Sequence, residues 1–155
     1  GVVGHIGVSN VTLEQLQMLK KVARVKPRFA QIRCYATRNW DRDMRDFCAA
    51  NSIVYQGFSL LTANRQVLNH ADMKDLARRH GKTPAQVIFR YALEGGMLPI
   101  TGTRNAGHMA QDLDIFSFQL TVQDRRAIEA MAGEGGGMPF RVTIKRPGAW
   151  PVDVH

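Results

Sequence analysis

Cysteine is scarce: the chain has two, Cys34 and Cys48, and a lone pair of this kind makes neither a disulfide framework nor a zinc-binding spacing. Reduced thiols in a cytosolic setting are the expectation. Neither has an obvious thiolate-stabilising neighbour in sequence, so both read as inert packing residues. No uninterrupted apolar run is long enough to cross a bilayer. The first ten residues lack a basic leader and a cleavage pattern, and the expected location is cytoplasmic. Acidic side chains are the other shortage: 13 Asp and Glu face 21 Lys and Arg, giving a net charge of +8. Such an excess favours an anionic partner. Its scatter over several helical stretches, however, reads as a solvated basic surface. RNP, zinc-finger and basic-zipper patterns are missing, which argues against nucleic acid. His5, His70, His80, His108 and His155 show no metal spacing, so no metal site is expected.

What is present is a repeating pattern within 155 residues, the length of one domain. Gly1 to Ser9 is apolar and β-branched and reads as a strand that stops at two small polar residues, Ser9 and Asn10. Thr12 to Gln15 then offers a capping box for the helical stretch LEQLQMLKKVARV. Phe29 to Cys34 reads as a second strand, followed by the helix RDMRDFCAANS, capped by Asp41. Ser52 to Phe58 makes a third strand, and after a loop come helical MKDLARRH and then AQVIFRYALEGG, with Thr83 as cap and Pro84 at the first helical position. Met97 to Ile100 is a short fourth strand. A helix is expected around His108 to Leu113, and Thr121 to Asp124 caps a last helix ending near Gly133. Residues 1–133 form one unit in this reading. Residues 134–155, rich in glycine and proline, form a flexible tail in which RVTIK is a candidate short strand.

Strands alternating with helices predict a parallel sheet of right-handed βαβ units, an α/β fold. Four such strands pose a problem, since an open sheet of barrel-like units exposes an apolar inner face and two unpaired edges. A second copy, a further segment or a flatter doubly wound arrangement are the three ways out.

IGVSN at a strand end, Gln31 in the next strand, a strand running into Phe58-Ser59-Leu60, then TPAQVIFRYAL, PITGT and HMAQDLDIFSFQLT together resemble the C-terminal half of an aldo-keto reductase. Each motif is ordinary alone; their order from Gly4 to about Met131 carries the resemblance. It implies half of a (β/α)8 TIM barrel with its site at the C-terminal ends of the strands. It also implies a nicotinamide dinucleotide, NADP(H) in preference to NAD(H).

The resemblance distributes roles along the chain. Ser9, Asn10 and Gln31 match positions that hydrogen-bond the nicotinamide carboxamide. Phe58 stands where the family usually has a Tyr stacked on the nicotinamide ring, and a Phe keeps that face. Ser59, Leu60 and the loop around Thr62 and Asn64 match the segment passing over the pyrophosphate. Thr101 aligns with a Ser near the adenosine phosphate, while Ile100 replaces the usual Lys. His108, Gln111 and Asp112 stand in for the Arg, Glu and Asn that grip the 2′-phosphate and adenine. Arg104 is a candidate replacement cation there.

The family's acid-base group of Tyr, Lys, Asp and His belongs to the first half of the barrel and has no match in this sequence. Arg33 shares strand parity with Gln31, where family members often place a Glu; it reads as a structural ion-pair partner, with polarisation of a substrate oxygen as the alternative. The implied activity is reduction of a small carbonyl substrate, with a self-associated pair creating a substitute acid from residues such as Tyr35 or Arg33 if the chain is active as it stands. A non-catalytic binding module and a piece of a longer reductase are the competing readings. The exposed strand faces predict a homodimer or larger assembly, unless the tail, with Met138, Phe140 and Trp150, folds back over them.

Overall fold

A computed structural model describes residues 2–133. The tail, with the expected RVTIK strand and the fold-back of Met138, Phe140 and Trp150, lies outside the described residues.

Four parallel strands, β1 (Gly7–Ser9), β2 (Phe29–Arg33), β3 (Val54–Phe58) and β4 (Leu98–Pro99), form one sheet in the order β1-β2-β3-β4. Strand order follows chain order with no reversal. A doubly wound sheet reverses direction at a switch point, so that arrangement is ruled out. The intervening helices are α1 (Leu13–Val22), α2 (Arg42–Ala50), α3 (Arg65–Leu68), α4 (Ala71–His80), α5 (Pro84–Glu94), α6 (Ala106–Leu113) and α7 (Val122–Ala130).

Most helix starts follow local chemistry. Thr12 and Gln15 exchange a capping box at α1, Thr83 and Gln86 do the same behind Pro84 at α5, and Thr121 pairs with Asp124 at α7. In each case two backbone donors that the first turn leaves without partners are satisfied by two side chains. α4 closes on Gly81 at φ +63, a left-handed position that glycine takes without a Cβ penalty. α6 begins two residues earlier than the sequence suggests because Asn105 accepts a hydrogen bond from the His108 N–H.

The expected cap at Asp41 is a correction. Asp41 precedes α2, but at φ 52 it is left-handed and its side chain makes no capping bond. Its carboxylate instead accepts a hydrogen bond from the Tyr55 hydroxyl at 2.6 Å. A helical turn over Ala36–Asp41, not foreseen, leads into α2 through three successive left-handed residues, Asn39, Trp40 and Asp41. For a residue as bulky as Trp this backbone is strained. Packing holds it there: Trp40 is buried with its ring centroid 4.9 Å from that of Tyr91, and Arg45 Nε donates to the Trp40 carbonyl at 2.7 Å.

The first strand is also shorter than expected. Only Gly7–Ser9 pair, and Val2, Val3 and Ile6 are exposed. As an edge strand, β1 has a neighbour on one side only, so apolar composition does not bury it. Gly7 sits where a Cβ would lie 3.0 Å from the Cβ and carbonyl oxygen of Phe29, so only glycine allows β1 to approach β2 this closely.

Side-chain alternation divides the sheet. Ala30 and Tyr55 point into the core shared with the helices, whose largest members include Trp40, Tyr91, Leu16, Ile88 and Ile128. The opposite face carries Ser9 level with Gln31 and Gln56, and Arg33 level with Phe58. No described helix is long and apolar enough to cross a membrane.

Candidate functional site

The C-terminal ends of the four strands form one rim, and the backbone is unusual where two of them stop. Asn10, directly after β1, has φ 53, and Ser59, directly after β3, has φ 57. Left-handed backbone at non-glycine residues costs free energy and is held by its surroundings. At Asn10 the holding bond runs from its N–H to the Gln31 carbonyl at 2.9 Å. At Ser59 the carbonyl accepts from the Ala63 N–H at 2.9 Å, closing the turn that follows. Both turns bring polar groups up to the rim.

Ser9 is exposed and its hydroxyl makes a long hydrogen bond to Gln31 Oε1, at 3.5 Å. The two are register partners on adjacent strands. Phe58 is half-buried at the end of β3 and is the register partner of Arg33. At the far edge, the Thr101 hydroxyl donates to Asp112 Oδ2 at 3.2 Å, joining the loop after β4 to α6. Arg104, His108 and Gln111 are exposed in that loop and helix. Ser9, Asn10, Gln31, Phe58, Ser59, Thr101 and the α6 group therefore follow the rim from β1 to β4, in the order in which the sequence resemblance assigned them to a dinucleotide.

Asn64 and Leu60 stand apart from that row. The Asn64 side chain is fully buried; its Nδ2 donates to the carbonyls of Cys34 (3.0 Å) and Leu60 (2.8 Å), while its Oδ1 accepts from the Ala36 N–H at 2.6 Å. Every polar atom of the amide is thus bonded to the protein's own backbone. Asn64 braces the loops after β2 and β3, and its side chain has nothing left with which to meet a ligand. Leu60 is 1% exposed and lies in the core, with its carbonyl taken by the Asn64 amide. Thr62 is exposed.

Arg33 is corrected as well. It is exposed, and among the described residues it enters no ion pair. Its guanidinium carbon lies 6.0 Å from the centroid of the Tyr35 ring, and that of Arg38 lies 4.9 Å from the same ring. These three side chains, with Asn10, border a cavity of about 600 Å³ between the β1–α1 turn and the stretch from Ile32 to Met44. Sequence reading missed Arg38 and the left-handed turn that presents it. The one local signal was Asn39 and Asp41 on either side of Trp40, both residue types that tolerate such backbone.

The other two tyrosines are poor acids. Tyr55 and Tyr91 are buried, and burial pushes both hydroxyls well above the usual phenol range, helped by Cys34 and Asp41 beside Tyr55 and by Glu129 beside Tyr91. Tyr35 is half-buried and borders the cavity. Burial pushes the thiols of Cys34 and Cys48 up to about 12, so both stay protonated packing groups. Among the described residues no group of three or more His, Cys, Asp or Glu is placed to hold a metal.

A family model described as "Aldo/keto reductase family" matches residues 1–132. The chain belongs to the aldo/keto reductase family. Among its relatives are human aldo-keto reductase family 1 member C1, 31% identical over 143 residues, and the glyoxal reductase of Bacillus subtilis, 31% identical over 131 residues. Each alignment covers 84% of this chain but only 44% and 47% of the relative. The chain thus spans about half the length of the aldo-keto reductases it matches. Among solved structures, a mutant of Gox0644 in complex with NADPH superposes with a TM-score of 0.78 at 33% identity, over 89% of this chain and 50% of that one. An aldo-keto reductase from a deep-sea metagenome library gives 0.76 at 25% identity, again over 50% of its length. The parallel four-stranded sheet alternating with helices matches about half the length of these aldo-keto reductase barrels.

Proposed function

We propose that this chain supplies the dinucleotide-binding half of an NADP(H)-dependent carbonyl reductase. The observation that carries this reading is the row of polar and aromatic groups along one rim of the sheet. It runs from Ser9, Asn10 and Gln31, through Phe58 and Ser59, to Thr101, Arg104, His108, Gln111 and Asp112. The residues suit the parts of such a cofactor. Two amides and a hydroxyl lie at the β1–β2 end, where a carboxamide needs both donors and acceptors. Phe58 offers one aromatic face beside them. The hydroxyls of Ser59 and Thr62 and the backbone of Leu60 stand where a pyrophosphate needs donors. Arg104 provides a cationic side chain and His108 a ring nitrogen at the β4 end, which favours a phosphate-bearing dinucleotide over its unphosphorylated counterpart. A solved relative in complex with NADPH supports the same assignment.

When bound, a reduced nicotinamide supplies a hydride to a carbonyl carbon. What this chain does is bind and orient. Asn10 and Ser59 are held in their left-handed turns before any ligand arrives, so little ordering cost remains. The proton for the carbonyl oxygen needs a separate acid. Tyr55 and Tyr91 are excluded by burial, and Tyr35 is the tyrosine that borders the cavity.

The flanks of the half-barrel bear on assembly. Met18 and Val22 of α1 on one side, and Leu113 and Phe116 around the end of α6 on the other, are large apolar residues left exposed. Burying each stabilises by about 1.5–3 kcal/mol. In our reading a complementary half-barrel covers these flanks and the two free strand edges, and for the isolated chain that is a second copy. Light scattering on the purified protein at micromolar concentration tests it, a stable monomer being the contrary result.

The function is tested by titrating NADPH into the folded chain while following intrinsic fluorescence, then adding assorted aldehydes and recording NADPH oxidation. Saturable binding supports the dinucleotide site, and turnover above a denatured control supports reduction by this chain. Absence of saturable binding overturns the reading in favour of a non-catalytic module.

A further inference from the structure

The cavity bordered by Asn10, Arg33, Tyr35 and Arg38 lies beyond the nicotinamide end of the proposed row. Of the residues assigned to the dinucleotide, only Asn10 lines it. Arg33 is nevertheless the register partner of Phe58, so its backbone lies one strand spacing, about 5 Å, from that of the residue proposed to stack on the reacting ring.

The chemistry of the lining is specific. Two guanidinium groups approach one tyrosine ring, at 6.0 and 4.9 Å from its centroid. Both side chains are exposed. Three acids also line the cavity, Glu14, Asp41 and Asp43, so a net charge alone decides nothing. Asp41 receives the Tyr55 hydroxyl at 2.6 Å from the core side. Arg42, also on the wall, has Asp46 at 3.8 Å as its i,i+4 partner. Arg33 has no carboxylate of this kind among the described residues, and its planar fork matches a carboxylate bidentately.

We propose that this cavity binds carbonyl compounds carrying a carboxylate, with Arg33 and Arg38 binding the carboxylate and the Tyr35 ring flanking the body of the molecule. The proposal rests on the dinucleotide-binding reading for its reaction but not for its binding. Salt weakens the interaction because both guanidiniums are reached by solvent. Neutral aldehydes of the same shape gain nothing from the two arginines.

The test uses the intact chain and two probes of matched shape, 4-formylbenzoate and its neutral counterpart 4-formylbenzamide, titrated calorimetrically with and without NADPH. We expect 4-formylbenzoate to bind about tenfold or more tightly at low salt, the yield of one charge-assisted hydrogen-bonded contact. Arg33→Gln and Arg38→Gln each remove much of that preference, the double variant abolishes it, and raising salt in the parent protein weakens it without any substitution. Equal affinity for the two probes in the parent protein overturns the proposal, as does a preference that survives both the double variant and high salt. Preference without NADPH binding supports the pocket while overturning the dinucleotide reading. NADPH binding without preference does the reverse.

Discussion

Replacing Asn64 by Ala separates a ligand contact from a brace. The amide is fully buried and makes three hydrogen bonds to backbone, at 2.6, 2.8 and 3.0 Å, joining Ala36, Leu60 and Cys34. Truncation removes all three, at about 1 kcal/mol net each, and strands the Ala36 N–H in the interior at a further cost of about 1–3 kcal/mol. Partial relaxation of the loop returns some of this, so the expected loss is about 3–4 kcal/mol. With a urea slope of about 1.5 kcal/mol per molar, the unfolding midpoint falls by about 2 M. Asn64→Asp keeps the acceptor for Ala36 but loses both donors and buries a charge, so it is at least as damaging at neutral pH. Urea melts by circular dichroism, paired with NADPH titration below the transition, read both quantities. A midpoint shift under about 0.5 M together with lost NADPH affinity would refute the reasoning and return Asn64 to the ligand.

The converse is expected at the rim: Ser9→Ala and Gln31→Ala leave stability within about 0.5 kcal/mol and weaken NADPH binding severalfold each, since both side chains are solvent-accessible and lightly bonded; a calorimetric titration beside a thermal melt checks this. The two cysteines, with thiols pushed up to about 12, resist iodoacetamide in the native protein at pH 8 and react fully once it is denatured, as mass spectrometry would record. Burial raises Asp124, but hydrogen bonds from Thr121, His80 and Arg79 outweigh it and hold the carboxyl below the usual range. A folded-state value below the unfolded one adds stability at higher pH that is lost as pH falls through the folded value. Asp124→Asn should therefore flatten the acid limb of the stability curve below about pH 4. Asp41 has the opposite sign. Burial raises its carboxyl, so its contribution is full below the unfolded value and lost as pH rises through the folded one. Asp41→Asn keeps an acceptor for Tyr55 and gains on the parent as pH rises above about 4.

Where a feature depends on neighbours in sequence, it was legible. The capping boxes at Thr12, Thr83 and Thr121 act within one helical turn, and Pro84 needs only its own fixed φ. The parallel βαβ order follows from alternating elements too far apart for hairpins. Where a feature depends on the strand across or the loop above, it was not. Asn64 looks like any polar loop residue until Cys34, Leu60 and Ala36 surround it. Asp41 looks like a cap until the Tyr55 hydroxyl, from another strand, takes its carboxylate. Arg33 looks like half of an ion pair until, among the described residues, no carboxylate meets it.

IGVSN shows the same division within five residues. Its amino acids determined that an apolar strand ends in a hydroxyl and an amide, and with the motifs that follow they determined the family. Burial was decided elsewhere. A strand of three residues at a sheet edge has a single neighbour, so Ser9 and Asn10 stand exposed, and the left-handed turn at Asn10 is held by the Gln31 carbonyl from the next strand. Composition and local spacing set which groups the rim carries. Only the register between strands, a property of pairs of segments distant in sequence, decides which of those groups meet.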